Sequence, residues 1–444
     1  MCPTGLRVLL HGLIPRWLAA RYTGNVRYFY SFILYLMLPW VLLRLWFKGL
    51  HLPGYRSNWK ERFGYGDVET VHPVAWFHAV SVGEVRAAEP LICAVLEHHP
   101  ELSVMVTTTT PTGREAAQQL FGGRVTHHYL PYDLPASVRR FLDVVKPVVV
   151  IILETEIWPN LYYQLEQKSI PLLLVNARLS QKSLQGYLKM RALSRPAVRS
   201  IRHIAVQSER DAQRFQHLGA RTARLSVMGN LKFEMHLPDD FPTRTRALKE
   251  SLGPERHIWV AGSTHKGEDT QLLAAHRRVL ESCAGALLVI APRHPERASE
   301  IAALCSESGF NFRLSTEVAS LADDVQVLIV DMLGELVYFY GVALAVFVGG
   351  SLVPAGGHNP IEAILAGAPI VTGPNIENFE GVYQDMIQCG AARMIETEHA
   401  LADRMCAWFS DKEQRKIDVE AGLSVVENSR GALQHCLQLL EQTL

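Results

Sequence analysis

A chain of 444 residues exceeds one ordinary domain and fits two of roughly 150–200 residues each. With 48% hydrophobic and 20% charged residues, it can bury two cores without help from disulfides. Lys+Arg and Asp+Glu balance at 44 each, which argues against a nucleic-acid binder. The 7 cysteines show neither a CxxC pair nor a metal-ligand spacing, and most read as core residues in a reducing compartment.

Residues 28–43 (YFYSFILYLMLPWVLL) carry no charge, and Trp46 and Phe47 extend the apolar character past Arg44. A full bilayer span needs about 20 apolar residues, so this segment is short for one. Tyr28, Tyr30, Trp40 and Trp46 suit headgroup depth. There is no small-residue cleavage site, and Pro39 lies inside the run. The segment reads as an uncleaved anchor, spanning or half-embedded, with a buried apolar helix as the alternative. Arg44, Lys48, Arg56, Lys60 and Arg62 follow it, with only Glu61 among them. They favour a cytoplasmic body held against anionic lipid, although Arg7, Arg16, Arg21 and Arg27 stand on the other flank.

Beyond the anchor, apolar runs alternate with helical patterns. Strands are predicted over 76–80, 103–109, 148–153, 171–176 and 204–207, with helices over 85–98 and 112–121. VVVIIL at 148–153 is fully apolar, as at the centre of a parallel sheet. A polar stretch at 230–254 reads as an interdomain linker. Strands return at 259–261, 287–291, 327–330, 345–348 and 369–371, and helices are predicted over 401–409 and 432–440. Such βαβ alternation implies parallel sheets covered on both faces. The expected fold is α/β, two Rossmann-like halves with the active site in the cleft between them. The expected division is an extension and anchor helix over 1–50, a first domain over 51–235 and a second over 236–444.

Three motifs can carry chemistry. SVGE at 81–84 falls where a strand gives way to a helix, so Glu84 can face a ligand as a general base. It can equally be a helix-start residue favoured by the macrodipole. LETEIWPN at 153–160 sets Glu154 and Glu156 just past an apolar strand; a role in capping a neighbouring loop is the alternative. VGGSLVPAGGHNPIEA at 348–363 runs a strand into a glycine loop containing Gly356, Gly357 and His358. A helix then opens at Asn359, Pro360, Ile361 and Glu362, where free amides and the dipole attract phosphate. An ordinary capped helix would show the same pattern. Upstream, Ser263 in GSTHKGE can contact an anion, and Arg293 and His294 in APRHPER suit phosphate or carboxylate, with Arg297 read as solvated. Gly334 marks a turn at which the backbone can approach a ligand, and Lys232 in GNLKFE lies at the domain junction.

Taken together, FHAVSVGE, TTTTPTG, LPYDLP, ETEIWPNL, NARLS, GNLKF, STHKGE, PRHPER, MLGEL and FVGGSLVPAGGHNPIEA resemble the Kdo (3-deoxy-D-manno-octulosonic acid) transferase family of lipopolysaccharide synthesis. They occur in the family's order between residues 77 and 363. The resemblance implies the GT-B architecture, CMP-Kdo as donor and a tetraacylated lipid A precursor (lipid IVA) as acceptor. It also implies an inverting displacement and work at the cytoplasmic face of the cell inner membrane. By position, Glu84 matches the family's general base, and Glu154 and Lys232 match groups that stabilise the transition state. Arg293 and His294, then Leu333, Gly334 and Glu335, then Asn359 to Glu362, match the CMP-binding segments. Ser263, Gly356, Gly357 and His358 are further candidate phosphate or sugar contacts. Leu333 stands where Met is common in the family. No cofactor, metal or nucleic acid is expected. A UDP-sugar transferase, an epimerase on the same fold, or a tethered nucleotide-sugar binding protein are the competing readings.

Overall fold

The computed structural model describes residues 16–66, 73–317 and 320–444, with side chains from residue 26 onward except residue 51. Cys2 and Arg7 fall outside these residues. The chain forms two units, Met1–Glu234 with Arg430–Leu444, and Met235–Ser429.

In the first unit, α1 (Arg16–His51) precedes β1 (Val74–His78), α2 (Val82–His98), β2 (Ser103–Thr108), α3 (Pro111–Phe121) and β3 (Thr126–Tyr129). Then come α4 (Pro135–Val145), β4 (Pro147–Leu153), α5 (Pro159–Gln167), β5 (Leu172–Ala177), α6 (Gln181–Lys189) and α7 (Arg191–Ser200). β6 (His203–Val206), α8 (Glu209–Leu218) and β7 (Leu225–Val227) complete the alternation. The sheet order is β3-β2-β1-β4-β5-β6-β7, and every neighbouring pair is parallel. Alternate residues of each strand feed two cores. Ala75, Phe77, Val149 and Ile151 pack with α2 and α3, while Trp76, Val150 and Ile152 pack with α4, α5 and α8. Burial of both faces explains the unbroken apolar strands.

The second unit repeats the plan: α9 (Phe241–Leu252), β8 (Ile258–Thr264), α10 (Asp269–Ser282), β9 (Leu287–Pro292), α11 (Ala298–Glu307), β10 (Phe312–Leu314) and β11 (Val327–Ile329). It continues through α12 (Leu336–Val342), β12 (Ala345–Val348), α13 (Ile361–Leu365), β13 (Ile370–Thr372), α14 (Glu380–Cys389) and β14 (Ala392–Met394). It ends with α15 (Glu398–Ser410) and α16 (Lys412–Asn428). The parallel order is β10-β11-β9-β8-β12-β13-β14.

The structure corrects the sequence reading in four places. The stretch read as a linker contains α9, whose Phe241 stacks on Tyr338 at 6.2 Å between ring centroids and whose Leu252 is buried. The last helix, α17 (Ala432–Glu441), belongs to the first unit rather than the second. Its Ala432, Cys436 and Leu440 join the core under α2, and the Glu234 carboxylate accepts from Gly431 N and Leu433 N at its start. Arg62 is no surface cation. It is buried, donates to Thr109 O at 3.1 Å and lies 4.1 Å over the Tyr129 ring. Arg297, read as solvated, pairs with the buried Asp269 and donates to Thr264 O.

Candidate active site

The strand order reverses between β1 and β4 in the first sheet and between β8 and β12 in the second, whose edge strands β10 and β11 are also exchanged. Parallel α/β sheets bind ligands outside the carboxyl ends of the strands at such reversals, because flanking connections diverge there and leave a crevice. In the first unit Glu84 follows β1, Glu154 follows β4 and Lys232 follows β7, while several of the candidates of the second unit follow β8 and β12.

Glu84 lies in the first turn of α2, directly after β1. Its carboxylate accepts from Val80 N at 2.8 Å and from the Ser81 hydroxyl at 3.2 Å. The helix-start reading of Glu84 is therefore correct as structure, and the same contacts fix the side chain in one rotamer. Burial pushes its carboxyl up to about 8, and the charges of Glu154 and Glu156 add to the rise. A carboxyl in that range sits close to the optimum for proton transfer near neutral pH.

Glu154 follows β4 with φ 57, a left-handed conformation that is strained for a residue with a Cβ. Its amide donates to Val175 O at 3.1 Å, and its carboxylate pairs with Lys232 at 3.2 Å. Burial, with Glu154 adding, lifts Glu156 to about 7. Lys232 is held by a polar chain that sequence reasoning missed. Asn176, buried and also left-handed at φ 52, accepts from Leu231 N at 3.0 Å. Its carbonyl accepts from Gln207, whose own carbonyl accepts from Asn230, and Asn230 Oδ1 accepts from Lys232 N. NARLS offered only a weak signal, since Asn is the residue that best tolerates the left-handed region after Gly.

In the second unit Ser263 is the third such residue, at φ 56 near the end of β8. Next to it Gly349 has no room for a Cβ, which would lie 2.5 Å from Ser263 O. The first part of the glycine loop is held from within the protein. Gly350 N, Ser351 N and Leu352 N all donate to the buried Glu268 carboxylate at 2.8–3.0 Å, as does His265 N. Gly357 N donates to Gly350 O. Glu268 is thus an internal anion filling the concavity that these four amides form. Further along the loop, His358 is stacked on His265 with the two Nε2 atoms 2.8 Å apart. Burial pushes His358 down to about 4, and the charges of Arg293, His265 and His294 add to the drop. His294 lies edge-on to His265 at 6.4 Å. Arg293, His294, His265 and His358 therefore form one cluster.

Asn359 Oδ1 caps Ile361 N at 3.1 Å, while α13 begins only at Ile361, which is itself fully buried and has no exposed side chain to offer. Gly356 packs against Asn378, and Glu362 stands on the first turn of α13. Leu333 is 71% exposed, and Gly334 takes φ 87, which only glycine adopts freely. Glu335 pairs with Arg244 of α9, and Arg244 also covers the Tyr338 ring at 3.8 Å. Among the described residues, no three His, Cys, Asp or Glu side chains converge as metal ligands would.

A sequence profile described as "3-Deoxy-D-manno-octulosonic-acid transferase (kdotransferase)" matches residues 57–235. Over 423 residues, 94% of this chain, the sequence is 38% identical to the 3-deoxy-D-manno-octulosonic acid transferase of Haemophilus influenzae, 99% of which is covered. Among solved structures, UDP-GlcNAc 2-epimerase from Neisseria meningitidis matches 84% of this chain and all of its own at TM-score 0.59 and 13% identity. A glycosyltransferase from Rickettsia africae matches 84% of this chain and 99% of its own at TM-score 0.53 and 13% identity. These structural likenesses carry the GT-B fold alone.

Proposed function

This chain belongs to the Kdo transferase family and is a glycosyltransferase of lipopolysaccharide biosynthesis; we propose that it moves Kdo from CMP-Kdo to lipid IVA with Glu84 as general base. The observation that carries this reading is the Glu84 carboxyl, fixed at the strand reversal of the first sheet and raised to about 8. In the proposed step the acceptor hydroxyl attacks the anomeric carbon of Kdo on the face opposite the phosphate. The proton passes to Glu84, the carbon–oxygen bond to phosphate breaks, and CMP leaves with the electron pair, inverting the configuration. Lys232, paired with Glu154, and Arg293 supply fixed positive charge for the growing anion. Arg293 and His294, with the segments 333–335 and 359–362, are proposed to hold CMP. Ser263, Gly356, Gly357 and His358 are proposed as further sugar or phosphate contacts. The anchor is proposed to keep the enzyme at the cytoplasmic face of the inner membrane, where its lipid acceptor resides.

The test incubates purified protein with CMP-Kdo and lipid IVA and weighs the lipid product. A gain of one or more Kdo masses, inhibited by free CMP and not by UDP, is expected. Inhibition by UDP instead, or no mass gain with folded protein, would remove the donor assignment.

A further inference from the structure

We propose that α1 does not cross the bilayer but lies flat in one leaflet, with both of its ends on the side that holds the folded body. The proposal rests on the anchor reading above and deepens it. Residues 26–50 of α1 are long and apolar enough to span. Yet one face of the helix is turned to protein. Ser31 and Gly49 are buried, and Tyr30, Leu34, Leu38, Leu42 and Leu45 along the same face are half-buried. At one end of this seam Arg27 donates to Asn160 Oδ1 at 3.1 Å and Tyr30 donates to the buried Asp133 at 3.1 Å. Ser31 exchanges hydrogen bonds with Asn160, and Asp133 in turn accepts from Asn160 N and Leu161 N at the start of α5. At the other end the chain turns immediately. Leu52 N donates to Lys48 O, Arg56 Nε donates to Trp46 O, and Gly54 packs on Pro111 at the start of α3.

The starts of α3 and α5 follow β2 and β4, so both lie at the carboxyl edge of one parallel sheet. From Ser31 to Gly49 the helix rises about 27 Å, close to the hydrocarbon thickness of about 30 Å. One folded unit cannot dock both ends of a helix that crosses that thickness. The outer face carries Phe29, Phe32, Leu36, Trp40, Leu43 and Phe47, all exposed and spaced three or four apart. Charge points the same way. No Asp or Glu precedes Glu61, while Arg7, Arg16, Arg21 and Arg27 stand before the apolar run and Arg44, Lys48, Arg56 and Lys60 after it. Cations on both flanks retain both ends on the cytoplasmic side, and the exposed apolar surface of the helix is then buried at the headgroup–acyl boundary.

The experiment places an epitope tag before residue 1 and another after residue 444 and treats intact spheroplasts with protease. Both tags should survive until the cells are lysed, and the protein should sediment with membranes. Loss of the N-terminal tag from intact spheroplasts would mean that α1 spans, overturning the flat topology while leaving the anchor in place. Protein that stays in the supernatant after lysis would overturn the anchor reading itself. As a second readout, Phe32→Asp with Leu36→Asp should cut sedimentation with vesicles of phosphatidylethanolamine and phosphatidylglycerol by tenfold or more. Unchanged sedimentation would show that this face does not meet lipid.

Discussion

Glu84→Gln should lower kcat by a hundredfold or more, within the range of about 10²–10⁴ usual for loss of a general base, while leaving the affinity for CMP unchanged. The amide keeps the shape of the carboxyl and an oxygen to accept from Val80 N, so the start of α2 stays intact. Stability separates this result from misfolding. The folded state raises Glu84 from 4.5 to about 8, so it favours the neutral form. That contribution is fully present below pH 4.5 and is lost as pH rises through about 8. Glutamine has no charge to desolvate and escapes the loss. The variant should therefore melt at a higher temperature than the parent above about pH 8 while remaining inactive. A variant that melts lower at that pH and loses CMP binding would point to damage rather than to a missing base.

Glu268→Ala should show the opposite pattern, with the second unit failing before any chemistry is reached. Four amides lose a shared anionic acceptor, two of them in buried residues. Hydrogen bonds to a charged group contribute about 1.5–3 kcal/mol each and are not additive, so a total near 3–5 kcal/mol is expected. For a unit of this size that corresponds to a melting shift on the order of 10 °C. Because the same loop leads to His358 and Asn359, CMP affinity should fall at least tenfold. Glu268→Gln, which keeps an acceptor oxygen, should lie between the two. Unchanged melting in Glu268→Ala would show that the loop holds its shape without the carboxylate.

The central strands were legible in the sequence because a strand covered on both faces must be apolar throughout, as 148–153 is. The strands left unread, β3, β7, β10 and β14, are the four outermost strands of the two sheets. Being short and partly exposed, they carry sequences such as THHY and FRL, with no apolar run to betray them. The same division runs through the site. Glu84 could be singled out because it sits where an apolar strand yields to a helix, and 359–362 because its capping pattern precedes a helix. Glu268 could not be assigned, because its role depends on a loop about eighty residues away, reached only when β8 and β12 pair. Asn176 was hidden for a related reason: it acts on Lys232 through backbone contacts that no spacing rule encodes. Nor does the glycine loop's own sequence reveal that the amides of Gly350, Ser351 and Leu352 bind a side-chain anion of the protein itself.

The base assignment is tested most directly by the pH dependence of kcat/KM for Kdo transfer, which reports titration in the free enzyme. With Glu84 raised to about 8, kcat/KM should climb about tenfold per pH unit below that value and level off above it. A profile that stays flat between about pH 6 and 9, or a limb centred at the ordinary carboxylate value, would contradict Glu84 as the raised base.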